Sequence, residues 1–593
     1  MKVGLVGAEL EENLGLRYMA SILESHGHQV EIIPFNTEND IPGTVQQVMA
    51  YGPQLCGLSM VFTGRAREFC NLATALRSQG FGGHIVAGGH FAALNCNQLL
   101  NDFPAFDSVA LGEGEELICN LASSLDAIHT ISGLCFRRAD GTIQTNPSLG
   151  NPDQLDELPF PKRISFHAYF DRPIASILSS RGCWRDCAFC SINAWYKQGG
   201  GKKFRTRSVA NIVTEMKELY FQHGIRIFNF QDDNFFLPDR NQAVRRFMDL
   251  RDALKEAGVT GIAIAVKARP DSIHEDSIQV LNELGLFRVF LGVENASERG
   301  LRNLNRLCEV DQIHNSLRIL NSYDVHIAYN LLMFEPDTVL DDILINLRFM
   351  EKHIENPFNF CRAEAYAGTG LETKLRAEGR LLGDYFGFDY RLKDPQSEAF
   401  HQISNHAFFD RNFSDFGLHY FNMEVDFYFQ LLRLFHPELL SQTLRSSVRN
   451  FIKRTNLDTY ECLSQIYDFV ADAPALDYAS IRGFAREMRR QVDERSKTLH
   501  IQGEKILNWL TDTYTRREKS TFGMQDRNPA IDSLPFLAPR PMPYTEIGQM
   551  EEMEFSADCP EDLQKSLDFF GIAPVAIPYS EFKHRLAGQK DQA

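Results

Sequence analysis

Short apolar runs alternate with amphipathic stretches along the first two thirds of the 593-residue chain. In the first 125 residues the runs KVGLVGA, QVEIIPF, LCGLSMVF, HIVAGGH and FDSVALG are predicted to be buried strands. Stretches between them, such as LGLRYMASILESHG, have helical periodicity. This alternation predicts an α/β unit at residues 1–125 with an open, parallel, doubly wound (Rossmann-like) sheet. Its ligands would bind beyond the carboxyl ends of the strands.

The alternation resumes, with a longer period, over residues 173–385. Six further strand candidates, from IASILSS to FNFCRAEAY, are separated by helical stretches. Six β/α units predict a partial, TIM-like (β/α)6 barrel, whose active face is built by the loops that follow the strands. Residues 126–172, with a hairpin predicted around Asp140–Gly141, are expected to connect the two units.

After residue 390 the strand signal stops and helical stretches follow. We therefore expect residues 386–593 to form a mostly helical substrate or cap region that covers the barrel mouth. Its aromatic segment at 405–429 either lines a pocket or packs as core. From residue 520 the chain becomes rich in proline and methionine, which predicts an irregular connection.

Composition narrows the class of protein. No apolar run approaches the roughly 20 residues needed to span a bilayer, so no membrane span is expected. The first residues, MKVGLVGAELEEN, lack the basic region and cleavage site of a secretory signal, which predicts a cytoplasmic protein. Its twelve cysteines should then be reduced thiols. The net charge of −17 argues against nucleic acid as the main substrate, because phosphate binding requires a basic face.

Three cysteines stand close together directly after the first strand of the second unit. The stretch SSRGCWRDCAFCSI places Cys183, Cys187 and Cys190 in C-x3-C-x2-C spacing, with no fourth cysteine nearby. Structural zinc sites and ferredoxin cubanes take four protein ligands. Three thiolates fit a four-iron cluster in which one iron stays open for the amino and carboxylate groups of a substrate. The other nine cysteines are scattered, which argues against an auxiliary cluster.

On these residues the chain resembles the radical S-adenosylmethionine (SAM) superfamily. Its defining loop has this spacing, follows the first barrel strand, and carries an aromatic residue before the third cysteine, here Phe189. The resemblance implies a 4Fe–4S cluster held by Cys183, Cys187 and Cys190. It also implies reductive cleavage of SAM to a 5′-deoxyadenosyl radical.

Later barrel segments extend the resemblance. FNFQDDNFFLPDR resembles the second-strand edge, which implies that Asp232 and Asp233 contact the methionyl amino group; a helix cap or surface turn is the alternative. FLGVENASERGLRNLNR resembles the fourth-strand segment, which implies that Glu294 faces the nucleoside or the active site. LLMFEPDTVLDDI departs from the fifth-strand pattern, because Phe334 and Glu335 stand where glycine and an aromatic residue are usual.

Residues 1–125 resemble the cobalamin-binding domain that is fused to some radical SAM domains, on stretches such as HIVAGGHFAAL and VALGEGEELICNLA. The best candidates for cobalamin contacts follow the third and fourth strands: Ser59, Thr63, Gly88, Gly89 and His90. Many cobalamin proteins ligate cobalt through the histidine of a D-x-H-x-x-G loop. The first strand here is followed by AELEENLG, without a histidine. A doubly wound scaffold that has lost its cofactor is the alternative.

Together these resemblances imply a cobalamin-dependent radical SAM methyltransferase. Such an enzyme transfers a methyl group from methylcobalamin to a carbon centre of a biosynthetic intermediate. The implied partners are a small-molecule or peptide substrate and a low-potential electron donor of the flavodoxin or ferredoxin type. One alternative is a cobalamin-dependent radical SAM enzyme with a non-methylating outcome: cyclisation, ring contraction or anaerobic hydroxylation. Another is a non-catalytic cobalamin- or redox-responsive binding protein. No catalytic acid or base is assigned.

Overall fold

The computed structural model describes residues 1–148, 150–414, 417–472 and 478–521. These residues form two mostly parallel sheets with flanking helices, followed by four long helices. None of the described helices is long and apolar enough to cross a membrane. The segment predicted to be irregular, from residue 520 onward, lies almost entirely outside the described residues.

The first unit is a seven-stranded sheet. Its strands are β1 (Lys2–Gly7), β2 (Gln29–Pro34), β3 (Leu55–Ser59), β4 (His84–Gly88), β5 (Ser108–Ala110), β6 (Leu134–Arg137) and β7 (Ile143–Thr145). Its helices are α1 (Leu14–Ser25), α2 (Ile41–Tyr51), α3 (Ala66–Ser78), α4 (His90–Leu94), α5 (Cys96–Asp102) and α6 (Glu115–Ser123). The sheet order is β2-β1-β3-β4-β5-β6-β7, with β1 to β5 parallel. All five strands predicted before residue 125 are present.

The predicted hairpin around Asp140–Gly141 is also present, as β6 and β7. It pairs antiparallel with β5 and extends the first sheet. The apolar residues Leu134, Cys135 and Phe136 of β6 are buried, which explains why this part of the expected connector packs with the sheet.

The second unit is a half-barrel of six parallel strands with a short antiparallel strand at one edge. The strands are β8 (Ala168–Tyr169), β9 (Arg172–Ile177), β12 (Ile227–Phe230), β13 (Ala263–Ala268), β14 (Leu286–Glu294), β15 (His326–Phe334) and β16 (Phe358–Arg362); the two-residue strands β10 (Ser180–Arg181) and β11 (Arg205–Thr206) pair separately. The helices are α7 (Ser191–Gly199), α8 (Val209–His223), α9 (Arg240–Glu256), α10 (Glu275–Glu283), α11 (Glu298–Asn303), α12 (Val310–Ser322), α13 (Leu340–Lys352) and α14 (Gly370–Ala377). The six predicted barrel strands are confirmed in the order β16-β15-β14-β13-β12-β9.

Burial along β14 separates the two faces of the half-barrel. Val289, Leu291 and Val293 are buried against the outer helices, whereas the residues between them are only half-buried. Because successive side chains of a strand point to opposite faces, these half-buried residues face the interior. We call this interior the lumen; its half-buried residues include Asn229, Lys267, Arg288, Phe290 and Asn330.

A short hairpin, β17 (Leu382–Asp384) and β18 (Gly387–Asp389), leads into four helices: α15 (Pro395–Phe413), α16 (Leu418–Phe435), α17 (Gln442–Ala471) and α18 (Tyr478–Thr521). Helix α16 packs its buried face on lumen-side residues that begin the strands, such as Ile227, Ala263 and Phe287. At the same end of the barrel, His326, the first residue of β15, lies 2.6 Å from Asp426 of α16.

Helix α16 therefore closes the amino-terminal end of the half-barrel, with α17 and α18 behind it. The expectation that the helical region covers the barrel mouth is wrong for these helices, because the mouth lies at the opposite, carboxyl ends of the strands. The first residues of the strands are apolar on the lumen side, and the apolar face of α16 buries them. The aromatic segment at 405–429 is mixed: Phe408 and Phe429 are fully buried, whereas Tyr420 is 64% exposed.

Candidate cofactor site between the two units

The cysteine loop begins where β9 ends and is turned by Gly182. This glycine has a φ of +79°, and a Cβ there would lie 1.8 Å from the carbonyl oxygen of Lys203. Only glycine fits such a turn without strain. Cys183 follows directly, and α7 begins one residue after Cys190. The three cysteines therefore lie at the carboxyl ends of the barrel strands, as the sequence predicted.

Asp232 holds the backbone beneath this loop. Its carboxylate is fully buried and accepts hydrogen bonds from the Ser179 backbone N–H (3.1 and 3.2 Å), the Ser179 hydroxyl (2.7 Å) and the Ser180 hydroxyl (2.5 Å). Burial raises the pKa of Asp232, and these hydrogen bonds oppose the rise. The structure places Asp232 as an anchor of the strand-to-loop junction.

The sulfur of Cys187 receives two guanidinium groups. Arg306 Nη1 lies 3.2 Å and Arg269 Nη1 3.6 Å from Sγ, and all three side chains are buried. Burial raises the pKa of the Cys183 thiol and raises that of Cys190 to about 12. Both guanidinium groups donate hydrogen bonds to the Cys187 sulfur, as the outer partners of a metal-ligating sulfur do.

The donor set of the loop is what suits a cluster. Three free thiols lie within eight residues, directly after the first barrel strand. Cysteine thiolates are the usual ligands of iron–sulfur clusters, so these residues fit such a group. Among the described residues, no group of three His, Cys, Asp or Glu side chains is placed to hold a single metal ion.

A cavity of about 320 Å³ lies between the first sheet and the barrel mouth. From the first unit it is lined at the strand ends by four predicted residues: Ser59, Gly88, Gly89 and His90. From the second unit it is lined by residues next to the cysteine loop, including Ser180, Arg181, Ile192, Gln231 and Asp233. Thr63 starts a 3-10 turn after β3 and is not among the lining residues. The two units thus line one shared cavity.

The cavity continues as an apolar slot into the first unit, between Leu5, Met19, Gly57, Val86 and Leu117. Gly57 lies within β3, where a Cβ would come within 3.2 Å of Leu5. At the rim, Gly89 has a φ of +95°, and a Cβ there would lie 2.9 Å from the Met60 carbonyl. An apolar slot below a polar rim fits a macrocycle whose nucleotide tail ends in a planar base, as in cobalamin.

Asp233 joins the cysteine loop to the cavity. Its carboxylate accepts a hydrogen bond from the Gly182 backbone N–H at 3.1 Å and faces the cavity. Burial among protein atoms raises the pKa of Asp233 to about 6, while the charge of Lys267 opposes the rise. Lys267 also donates to Gln231 Oε1 at 3.2 Å. A bound group with an amino function would meet a carboxylate here.

Glu294 ends β14 with a φ of +66°, a left-handed conformation that is uncommon outside glycine. It sits at a register shift between β14 and β15. Its Oε1 lies 3.9 Å from Arg306 Nη2, and the same arginine binds Cys187. Burial raises the pKa of Glu294, and Arg306 and Arg269 oppose the rise. Backbone strain of this kind is concentrated at functional sites. Glu294 does not line the cavity itself.

Sequence reasoning missed the ion pairs that tie the cysteine loop to the first unit. Arg181 lies 2.6 Å from Glu115 and 3.2 Å from Glu113, and Arg205 lies 2.5 Å from Glu113. The Arg181 guanidinium also stacks on the Tyr18 ring, 5.0 Å from its centroid. Two features of the sequence indicate such pairs. Arg181 stands two residues before Cys183, and the acidic GEGEE stretch follows β5 at the same edge of the first sheet.

The departure at the fifth strand has a structural explanation. Glu335 is buried and accepts hydrogen bonds from Asn303 Nδ2 (2.8 Å) and from the Asp337 backbone N–H (3.0 Å). Phe334 belongs to the barrel core. Neither residue lines the cavity.

Comparison with protein families identifies both units. Residues 177–346 match the model of the radical SAM superfamily, and residues 3–122 match the B12 binding domain. The first match begins at the end of β9 and contains the cysteine loop. The second covers the strand ends that line the cavity.

Curated relatives are moderately similar. The chain is 24% identical to an uncharacterized methyltransferase of Pyrococcus horikoshii, over 62% of this chain and 79% of the relative. It is 26% identical to the anaerobic magnesium-protoporphyrin IX monomethyl ester cyclase of Synechocystis (53% and 62%). It is 25% identical to the cytidylyl-2-hydroxyethylphosphonate methyltransferase of Streptomyces wedmorensis (53% and 67%). The chain thus spans between 62% and 79% of these relatives.

Solved structures share the fold. The cobalamin-dependent SAM radical enzyme OxsB, with aqua-cobalamin and SAM bound, matches with a TM-score of 0.63 at 15% identity, over 89% of this chain and 82% of that one. The radical SAM methyltransferase TsrM from Kitasatospora setae matches with a TM-score of 0.54 at 17% identity, over 64% and 77%. The α/β fold with an amino-terminal doubly wound unit, a half-barrel and carboxyl-terminal helices is therefore confirmed. The chain therefore combines a B12-binding domain, at residues 3–122, with a radical SAM domain that follows it, at residues 177–346.

Proposed function

We propose that this enzyme transfers a methyl group to a carbon atom of a small-molecule biosynthetic intermediate, in the space between its two cofactor domains. The observation that carries the proposal is the single cavity lined both by the strand ends of the B12-binding domain and by the barrel mouth beside the cysteine loop. Two cofactors on opposite walls of one cavity can act on the same substrate atom, because the cavity holds the substrate close to both reacting groups at once.

Three groups of residues hold the cofactors in this proposal. Cys183, Cys187 and Cys190 bind the 4Fe–4S cluster, and Arg269 and Arg306 stabilise the Cys187 thiolate. Ser59, Gly88, Gly89 and His90 contact cobalamin; Thr63, four residues after Ser59, lies outside the cavity lining. Asp233, which lines the cavity, contacts SAM directly. Glu294 contributes to the SAM site through its contact with Arg306. When bound, the cluster and SAM supply a radical, and cobalamin supplies the methyl group.

Asp232 takes a different role from the one its sequence neighbourhood suggests. All of its described hydrogen bonds go to Ser179 and Ser180, immediately before the cysteine loop. We assign it to positioning the loop, while its neighbour Asp233 faces the bound SAM.

The curated relatives support methyl transfer, since two of the three named above are methyltransferases. A low-potential electron donor of the flavodoxin or ferredoxin type belongs to the proposal, because a radical SAM cluster must be reduced before SAM is cleaved. A reducing, cytoplasmic setting belongs to it as well, and the described cysteines are all free thiols, which suits that setting.

A second candidate function is a radical reaction without methyl transfer, such as ring formation. It is favoured by the similarity to the magnesium-protoporphyrin IX monomethyl ester cyclases, which appear among the relatives from three organisms.

Anaerobic reconstitution with iron, sulfide and cobalamin, followed by incubation with SAM carrying a CD3 methyl group, separates these functions. A metabolite extract supplies candidate substrates, and mass spectrometry follows the products. Methyl transfer predicts a product that gains an intact CD3 group together with S-adenosylhomocysteine and 5′-deoxyadenosine. Ring formation predicts 5′-deoxyadenosine without label in the product. Absence of both nucleoside products would contradict the proposal.

A further inference from the structure

Polar side chains lie in the lumen of the half-barrel, below the cofactor cavity. Among the described residues, Arg288 on β14 has a buried Nε without a hydrogen-bond partner, and the half-buried side chains of Asn229 on β12 and Asn330 on β15 face the same lumen. Buried polar groups are nearly always hydrogen-bonded in native proteins, so groups left without a partner need an explanation. A ligand that supplies the missing partners is one.

Arg288 is the most demanding of these groups. It is half-buried, and its Nε is completely buried without a hydrogen-bond partner. Its guanidinium lies over the ring of Phe427 of α16, 5.5 Å from the centroid, at the floor of the lumen. Arginine keeps its charge in proteins, and leaving a buried charge unpaired costs several kcal/mol in general.

The neighbours of Arg288 on the side toward β9 have short side chains. Ala265 on β13 pairs with Arg288, and Asn229 and Ser176 continue the same layer on the next two strands. On the other side Arg288 pairs with His326 of β15. The fork of a guanidinium matches the two oxygens of a carboxylate or phosphate.

Among the described residues, no acidic side chain forms an ion pair with Arg288. Burial lowers its pKa, and the charges of Glu11 and Asp426 oppose this without such a contact. Asp426 is engaged elsewhere, by His326 at 2.6 Å and Arg449 at 3.1 Å. Glu424 also lies on α16, and burial raises its pKa, which makes its carboxyl less able to serve as a negative partner for Arg288.

We propose that this layer binds an anionic group of the substrate, a carboxylate or a phosphate, held by the Arg288 guanidinium with the Asn229 amide as a further hydrogen-bond donor. The inference rests on the proposed function, because it takes the ligand to be the substrate. Arg288 stands six residues before Glu294 on β14, about 20 Å along the strand at roughly 3.3 Å per residue. The substrate is therefore elongated, with its reacting carbon at the mouth and its anionic end at the floor.

Direct binding measurements test this site without any turnover. The full-length protein is titrated calorimetrically with phenyl phosphate, with benzoate and with the neutral probe benzamide. We expect at least one anion to bind about tenfold or more tightly than benzamide, a difference of about 1.4 kcal/mol. The stronger of the two anions identifies phosphate or carboxylate as the preferred group.

Variants assign the binding to Arg288. Arg288→Met should abolish the preference for the anion, Arg288→Lys should keep part of it, and Arg240→Met, at an exposed pair with Asp276, should leave it intact. Arg288→Met should unfold at the same temperature as the wild type or higher, because it removes an unpaired buried charge. A preference that survives Arg288→Met, or a wild type that binds neither anion more tightly than benzamide, would overturn the inference.

Cobalamin uptake and iron content, measured on the same samples, keep the two proposals apart. If the wild type takes up both cofactors but shows no anion preference, the substrate inference fails alone. If it takes up no cobalamin, the proposed function fails whatever the anions do.

Discussion

Replacing Gly182 by alanine tests whether the turn before Cys183 positions the cluster ligands. The φ of +79° at Gly182 alone costs an alanine about 1–2 kcal/mol. The new Cβ would also lie 1.8 Å from the Lys203 carbonyl oxygen and 3.3 Å from a ring carbon of Tyr196. No rotamer change relieves a clash with backbone, so the paired strands β10 and β11 must separate. Overpacking of this kind costs about 1–3 kcal/mol.

We therefore expect Gly182→Ala to destabilise the protein by about 2–5 kcal/mol and to displace Cys183, which follows directly. Gly224→Ala is a matched control. Gly224 ends α8 with a φ of +68°, but nothing lies within 4 Å of its Cβ position, so it should cost only about 1 kcal/mol.

The assay combines thermal unfolding of the cofactor-free protein with iron and sulfide content after anaerobic reconstitution. Gly182→Ala should unfold at a clearly lower temperature than Gly224→Ala and retain less than half of the wild-type iron. Gly224→Ala should retain all of it. Equal unfolding temperatures and equal iron contents in the two variants would refute the role assigned to the turn.

Three other substitutions test separate parts of the site. Arg306→Met removes a guanidinium that lies 3.2 Å from Cys187 Sγ. It should lower the midpoint potential of the cluster by about 60 mV or more, and Arg306→Lys should lower it less. An unchanged potential in an EPR-monitored redox titration would contradict this. Asp233→Asn should raise the unfolding temperature of the cofactor-free protein at pH 8 but not below pH 4. Burial raises the pKa of Asp233 to about 6 in the folded protein, so ionisation of this carboxyl destabilises the fold as the pH rises from about 4 to 6. An equal gain in unfolding temperature at both pH values would contradict this explanation. Asp426→Asn breaks a buried contact with His326 and Arg449 and should reduce the free energy of unfolding by about 3 kcal/mol at pH 7, measured with urea; a loss below about 1 kcal/mol would show that the contact is not important.

Local patterns made much of the fold predictable. The parallel strands of both sheets are short apolar runs bounded by polar turns, and each lies where its run was identified; the short antiparallel strand β8 was not predicted. The cysteine spacing is contained within eight residues, so it required no knowledge of the tertiary structure. Ser59, Gly88 and His90 follow parallel strands, and such ends share one edge of a sheet.

Long-range pairing made the rest unpredictable. Arg205 and Glu113 are 92 residues apart, and Cys187 and Arg306 are 119 apart; no local periodicity connects them. Helix α16 is apolar on one face, but the sequence does not say which end of the barrel that face covers. Asp232 and Asp233 are adjacent and chemically identical, yet one anchors Ser179 and the other faces the cavity, because successive residues point in opposite directions.

We expect one chain to hold an iron–sulfur cluster on three cysteines and cobalamin in the cavity above them. The most direct test measures iron and cobalamin bound per chain after anaerobic reconstitution of the wild type, Cys187→Ala and Cys308→Ala. Cys308 is a buried cysteine close to Arg306 in the chain and serves as the control. The wild type and Cys308→Ala should bind a four-iron cluster and one cobalamin, whereas Cys187→Ala should lose the cluster but keep cobalamin. A Cys187→Ala variant with a full cluster, or a wild type without cobalamin, would contradict this arrangement.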